Sequence, residues 1–468
     1  MASELTVELT DPLPRVVPVG LGGEYPLHGL CELPAEPVET ARLLLDGEPH
    51  PAWIDPEPHP WDERGRHVVW AWAPLDPVAR ARPLELELEA RLAGGSVRST
   101  VLGETLLTPS ARRPLDLPPP DGRGPRVVVC MATFNPDPEL FARQLASLRA
   151  QTLDNWVCIV CDDRSDPAGL ATVRAGCATD ERFVLVESDG RRRGPYENFH
   201  RALTLVPRWA DAIAFSDQDD EWYPHKLATL WERMEESGAM LAYSDVRIVT
   251  EGGRVLADTY WTNRRNNWTN LASLLVANTV TGAASMLRAS LLDVLLPFPA
   301  KINGVMHDWW VATAALTVGE LAYVDEPLHD YVQHDANVLG HQAPPIERPT
   351  VREVASFLRR GVPGQRGFDE ALVNAREAYF NHTRRVMLSA RTLERRTGGA
   401  TTRAKRAVLR RVGTLDHSAA GFTWLTARGT VRAGRKSDTL GRDTLLARGV
   451  AWRLRAAQRG RTAPLPVD

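Results

Sequence analysis

Residues 217 to 221 read Asp-Gln-Asp-Asp-Glu. Carboxylates this close repel one another and cost stability, so the run needs a cation or a ligand to justify it. It follows the apolar run 212–215 and Ser216. Two other polar groups follow apolar runs in the same way. One is Thr133-Phe134-Asn135-Pro136. The other is Asp162-Asp163-Arg164. Gathered carboxylates suit Mg²⁺ or Mn²⁺, which takes one or two of them and completes its shell with substrate phosphate oxygens. Further on, His307 and Asp308 precede a segment rich in Trp and Ala. An Asp there fits a helix N-cap, and a helix N-terminus also keeps a carboxylate ionised. No G-x-G-x-x-G follows the first apolar run, and there is no Walker lysine loop, which excludes the usual dinucleotide fold and the P-loop.

The elements that must position these groups are legible in the spacing. "RVVVCMATF", "WVCIVCDDRS", "FVLVES" and "DAIAFSDQDD" read as strands, the first two as continuous apolar runs. They alternate with "PELFARQLASLRAQ", "GLATVRAGCATD" and "YENFHRALTLVP", which have helical spacing. That alternation predicts an α/β unit with a mostly parallel sheet, and ligands bind such a sheet beyond its carboxyl strand ends. Residues 1–110 read instead as short alternating strands. "LELELEARL" puts Leu on one face and Glu on the other, which predicts a β-sandwich with a wet face. Residues 111–125 are a Pro- and Gly-rich linker. The nucleotide-binding unit is expected over 126–345. Residues 346–468, including "TVREVASFLRRGV" and "DEALVNAREAYFNHTRRVMLSARTLERRT", are expected to be helical and basic.

Composition narrows the class. The 468 residues are 43% hydrophobic and 25% charged with net charge -3, an ordinary globular balance with no pull toward nucleic acid. The charge is uneven. Residues 1–120 contain no Lys, and from Arg384 basic residues outnumber acidic ones roughly four to one. Five Cys imply no disulfide framework, and Cys158-x-x-Cys161 lies in a buried strand without a second pair to complete a zinc site. No secretory signal or membrane-spanning run is expected. The chain reads as cytoplasmic, with the basic C-terminal region available to an anionic inner-leaflet surface, where each Lys or Arg contributes about 1 kcal/mol.

The sequence from Arg126 to Gly340 resembles the family-two inverting glycosyltransferases of GT-A fold. The ordered segments are "VVVCMATFNPDPELFARQLASLRAQT", "CDDRSD", "FSDQDDEWYPHKL", "NTVTGAASMLRASLL", "HDWW" and "LHDYVQHDANVLG". The resemblance implies that Thr133, Asn135, Asp162, Asp163 and Asp217 bind the donor, with Arg193 of the Arg191–Arg193 run on its phosphates. It implies that Asp219 and His334 bind the metal. Asp308 would be the catalytic base, and Asp220, Trp222, His307 and Trp309 would face the sugar or acceptor. Relatives commonly have Arg where this chain has Val332, so the phosphate contact must come from elsewhere.

The combination of motifs resembles bacterial rhamnosyltransferases of envelope polysaccharide assembly. That implies a nucleotide-diphosphate sugar donor and a glycan or lipid-linked acceptor, with rhamnose ranked first. The flanking architecture is similar to that of galactofuranosyltransferases, ranked second. The rival of a different class is a non-catalytic nucleotide- or sugar-binding relative.

Overall fold

The computed structural model describes residues 5–33, 36–59, 62–109, 112–261, 265–334, 373–431, 439 and 441–459. The segment "TVREVASFLRRGV" and the residues after His334 in "QHDANVLG" lie outside these.

The first eight strands are β1 (Thr6–Leu9), β2 (Val16–Pro18), β3 (Gly23–Glu32), β4 (Val38–Leu45), β5 (Glu48–Pro58), β6 (His67–Leu75), β7 (Arg82–Leu92) and β8 (Val97–Thr108). They hydrogen-bond as one sheet in the order β1-β3-β6-β5-β4-β7-β8-β2. The expected sandwich takes the form of this single sheet curled until β1 approaches β8. Strand β7 shows why. Leu84, Leu86, Leu88 and Ala90 are buried with Leu27, Leu43 and Val69, while Glu85 stays in water. Each buried Leu contributes about 1.5–3 kcal/mol, so the alternation dictates which face turns inward.

The second sheet has nine strands. Its path is β11-β10-β9-β12-β16-β14-β17-β13, with β15 (Val255–Ala257) paired to β14. Strands β9 (Val127–Thr133), β10 (Trp156–Asp162), β11 (Phe183–Val186) and β12 (Ala212–Ser216) are parallel. Beyond them lie β13 (Glu221–Trp222), β14 (Leu241–Thr250), β16 (Ser285–Arg288) and β17 (Leu321–Gln333). Apolar residues on both faces of the parallel strands bury two separate cores. Val127, Val129, Cys158, Val160 and Ala214 meet α1 (Pro138–Arg149), α2 (Pro167–Cys177) and α4 (Lys226–Ser237). Val128, Cys130, Ile159, Cys161 and Phe215 meet α3 (Gly194–Leu205), α5 (Leu271–Val276) and α7 (His307–Val318). Cys158 and Cys161 therefore point to opposite faces, and all five Cys are buried free thiols.

The second of these cores reaches both ends of the chain. Trp53, Trp70 and Trp72 enter it from the outer face of the first sheet, and Val386, Met387 and Leu393 enter from the helix Arg384–Thr397. Further helices span Arg403–Gly413, Ala419–Val431 and Arg442–Arg459. A few cations near and within the basic region are internal. The Arg384 guanidinium lies over Trp72 and donates to the Leu27 carbonyl. Arg376 pairs with Asp55 at 3.0 Å, and Arg453 lies between Trp53 and Trp70. These cations are buried and are not offered to a membrane surface. Among the described residues, no helix is long and apolar enough to cross a membrane.

Candidate functional site

The loops after β9, β10 and β12 are locked to one another. Gln218 clasps the Phe134 backbone, accepting from its N–H at 2.8 Å and donating to its carbonyl at 3.3 Å. Asn135, at φ +42°, accepts from the Asp166 N–H and donates its own N–H to the Ser165 hydroxyl, both at 2.8 Å. Gly169 is required there, because a Cβ would come within 2.7 Å of the Asn135 amide oxygen. Thr133 is buried and points at the Cys161 carbonyl. Asp163 accepts from the N–H groups of Arg193 and Gly194, both at 2.7 Å, so it caps α3 with both oxygens. Asp162 is buried and turns the chain through the Ser165 N–H.

The crowded acids separate into distinct environments. Asp219 meets His334 Nε2 at 2.9 Å, and burial outweighs that contact and raises its pKa. Burial first, then Asp219 and Asp308, push Asp217 up to about 7, against the pull of Lys226. Asp220 is buried below them, raised by burial and by both neighbouring acids. Lys226 answers this charge from inside. Its ammonium is fully buried, lies over the Trp222 ring at 3.8 Å and donates to the Ala283 carbonyl at 2.6 Å.

Helix α7 brings Asp308 to the same place. Its Oδ1 accepts the Trp309 N–H at 2.6 Å, and no side chain caps the helix from Met306. Asp308 is close enough for its charge to be felt at Asp217. Trp309 is buried and donates its indole N–H to the Leu274 carbonyl. His307 stacks on Phe199 with centroids 3.8 Å apart and meets Phe215 edge-on. Among the described residues its buried ring nitrogens have no partner, and burial holds its pKa down at about 3. Between its ordinary 6.5 and 3, the unfolded chain binds a proton that the folded chain refuses. Stability therefore falls as pH drops through that window, by about 1.4 kcal/mol per pH unit from this one group. We expect His307→Phe to flatten the acid limb by that slope in urea denaturation between pH 7 and 5. An unchanged slope would show that the imidazole protonates in place.

Thr133, Asn135, Asp163, Asp217, Asp219, His307, Asp308, Trp309 and His334 line a single cleft of about 1560 Å³. Four expected residues are not on its wall. Asp162, Asp220 and Trp222 are buried beside it, and Arg193 turns back to pair with Asp189 at 2.7 Å. Its neighbour Arg192 lines the cleft and lies over the Phe134 ring at 3.8 Å. Val332 is buried against Leu140 and Val249 and offers no charge. Asn278, Thr281 and Gly282 of "NTVTG" also line the cleft, joined by His382, Arg385 and Arg442, which no motif announced.

A divalent cation fits the donor set. Asp219 and His334 offer an oxygen and a nitrogen already in contact, beside carboxylates that repel one another. Among the described residues no group of three or more His, Cys, Asp or Glu converges as a metal site.

Residues 128–296 match the family model for Glycosyl transferase family 2. The Succinoglycan biosynthesis protein ExoW of Rhizobium meliloti (strain 1021) is 33% identical over 109 residues, 23% of this chain and 34% of that protein. The Succinoglycan biosynthesis protein ExoO of the same strain is 31% identical over 140 residues, 30% of this chain and 38% of that protein. The chain thus spans little more than a third of the length of these curated relatives. Among solved structures, S. aureus TarS 1-349 in complex with UDP-GlcNAc shares 14% identity at TM-score 0.37, covering 72% of this chain and 92% of that one. A mannosyltransferase from Pyrobaculum calidifontis, in complex with GDP-Man and Mn²⁺, shares 17% at TM-score 0.35, covering 72% and 90%.

Proposed function

For a chain that carries a family-two glycosyltransferase domain of GT-A-like fold over residues 128–296, we propose a metal-dependent inverting transfer of a sugar from a nucleotide-diphosphate donor. The acceptor is a glycan or lipid-linked glycan of bacterial envelope polysaccharide synthesis. The observation that carries this reading is the convergence of Asp217, Asp219, His334 and Asp308 on one cleft. Succinoglycan biosynthesis relatives support the polysaccharide setting. Rhamnose ahead of galactofuranose rests on motif resemblance alone.

In this reading the donor nucleotide lies over the loops of Thr133, Asn135 and Asp163, and Arg192 replaces Arg193 as the cation beside it. Asp219 and His334 hold Mg²⁺ or Mn²⁺, which when bound offsets the charge that develops on the leaving diphosphate. Asp308 removes the acceptor hydroxyl proton as that oxygen attacks the anomeric carbon from the face opposite the diphosphate. Burial of Trp309 and stacking of His307 hold the start of α7, and so Asp308, in place. The eight-stranded sheet and the described helices from Arg384 onward share a core with the second sheet and so brace the site.

Asp219→Asn tests the metal. We expect nucleotide-sugar turnover to require Mg²⁺ or Mn²⁺, to stop with EDTA, and to fall at least about 100-fold in the variant, since the stabilisation of developing charge is lost. Full turnover in EDTA would overturn the metal assignment.

A further inference from the structure

Acids and cations share the wall of the cleft. Asp163, Asp217 and Asp219 are among the acids. His382, Arg385 and Arg442 reach it from the C-terminal helices. The Arg385 guanidinium lies 5.2 Å from the centroid of the Trp309 ring, one residue from Asp308, and its Nη1 donates to the Asn303 carbonyl at 3.1 Å. That carbonyl belongs to the turn Asn303–Gly304, both at positive φ, which leads into α7.

We propose that Arg385, Arg442 and His382 form an anion-binding subsite beside Asp308, and that it takes a phosphate ester carried by the acceptor. The proposal rests on the glycosyl-transfer reading above and names the acceptor's chemistry.

Three observations lead there. First, these cations lack acids. Among the described residues neither Arg385 nor Arg442 makes a salt bridge, whereas buried Arg376 has Asp55. Buried Arg396 is matched by carbonyls instead. Gathering like charges in a partly dry cleft is costly unless an anion arrives. The neighbouring side chains register that cost: burial and Arg442 push Arg385 down to about 10, and burial, Arg385 and Arg442 push His382 down to about 4. Second, donors are spare. Arg385 Nε is buried without a partner among the described residues, and a guanidinium carries five N–H groups in a fork that matches phosphate oxygens. Third, the place is right. Arg385 lies over Trp309 and holds the turn into α7, so an anion bound there lies beside Asp308, the group proposed to deprotonate the acceptor hydroxyl.

The test uses the full chain without divalent cation. Titration calorimetry measures geranyl phosphate in detergent, inorganic phosphate and a carboxylated disaccharide, for wild type, Arg385→Gln and Arg442→Gln. UDP, GDP and dTDP with Mn²⁺ report the donor end. We expect geranyl phosphate to bind wild type and to weaken by about tenfold in each variant, while nucleoside diphosphate affinity stays within about twofold. Unchanged geranyl phosphate affinity in both variants overturns the subsite. So does a parallel loss of nucleoside diphosphate, because the ligand would then sit at the donor end. Inorganic phosphate binding as tightly as the ester, or the carboxylate binding better, overturns the phosphate-ester assignment. Arg442 lies in the first turn of its helix and is half-buried, so Arg442→Gln decides the question if Arg385→Gln does not fold. Binding is read without turnover. Loss of all glycosyl transfer with anion binding intact would count against the proposed reaction and not against the subsite.

Discussion

Asp308→Asn is expected to lower glycosyl transfer by about 10²–10⁴-fold, the usual contribution of a positioned general base. The substitution is chosen because it is nearly isosteric. The Asn oxygen still accepts the Trp309 N–H now bound at 2.6 Å, so the first turn of α7 is kept. What is lost is the ability to take a proton. It also removes one of the charges that pushes up Asp217, so nucleoside diphosphate binding should hold or tighten slightly. The two readouts together separate the readings. Lost transfer with intact nucleotide affinity supports the base. Full transfer by Asp308→Asn means the proton goes elsewhere, and the mechanism above is wrong. No transfer by the wild type with any nucleotide sugar, but firm nucleotide binding, favours the non-catalytic relative.

Arg396→Ala is expected to cost about 3–5 kcal/mol of stability, near the limit seen for single substitutions. Its guanidinium donates to the carbonyls of Gly22, Val294, Leu295 and Pro297 and is only 9% exposed. Gly22 belongs to the N-terminal sheet region, whereas Val294 and Leu295 end α6 (Leu292–Leu295) and Pro297 follows it, and the Leu295 carbonyl also accepts from Trp310 Nε1. Removing the side chain leaves several buried acceptors unmet, each at about 1–3 kcal/mol before relaxation. Arg396→Lys keeps the charge but reaches fewer carbonyls, and should lose about half as much. Urea denaturation checks this. A loss below about 1 kcal/mol for Arg396→Ala would mean that water fills the site and the three parts of the chain are held by their apolar contacts alone.

The parallel strands were readable because their side chains obey a local rule. Val127–Met131 and Trp156–Cys161 are apolar on both faces, and such runs have nowhere to go but between two layers of helices. Alternating Leu and Glu in β7 set its inner face in the same way. Strand ends in a parallel sheet share one edge, so the polar groups after β9, β10 and β12 had to meet. The errors came where one residue of register decides. Arg192 and Arg193 are equivalent on paper, and the turn into α3 sends one over Phe134 and the other back to Asp189. Asp220 and Trp222 sit within the acidic run, yet the chain descends there into β13 and buries both.

The basic C-terminal region divides in a way its charge count does not show. Arg384, Arg396 and Arg453 are held by carbonyls and Trp faces inside, whereas Arg403, Arg410 and Arg411 are exposed. Composition cannot distinguish a solvated guanidinium from one stacked on an indole, because the partners come from the other end of the chain.

By itself the sequence determined the alternation of strands and helices, the shared edge where Thr133, Asp163 and Asp219 lie, and the segment bearing Asp308. These follow from periodicity and from rules that act over a few residues. Only the tertiary structure decided which acids face the cleft, that Lys226 is buried beside them, and that Arg385 and Arg442 join its wall. Those outcomes depend on contacts between residues tens to hundreds of positions apart, where packing and desolvation, not spacing, choose the partner.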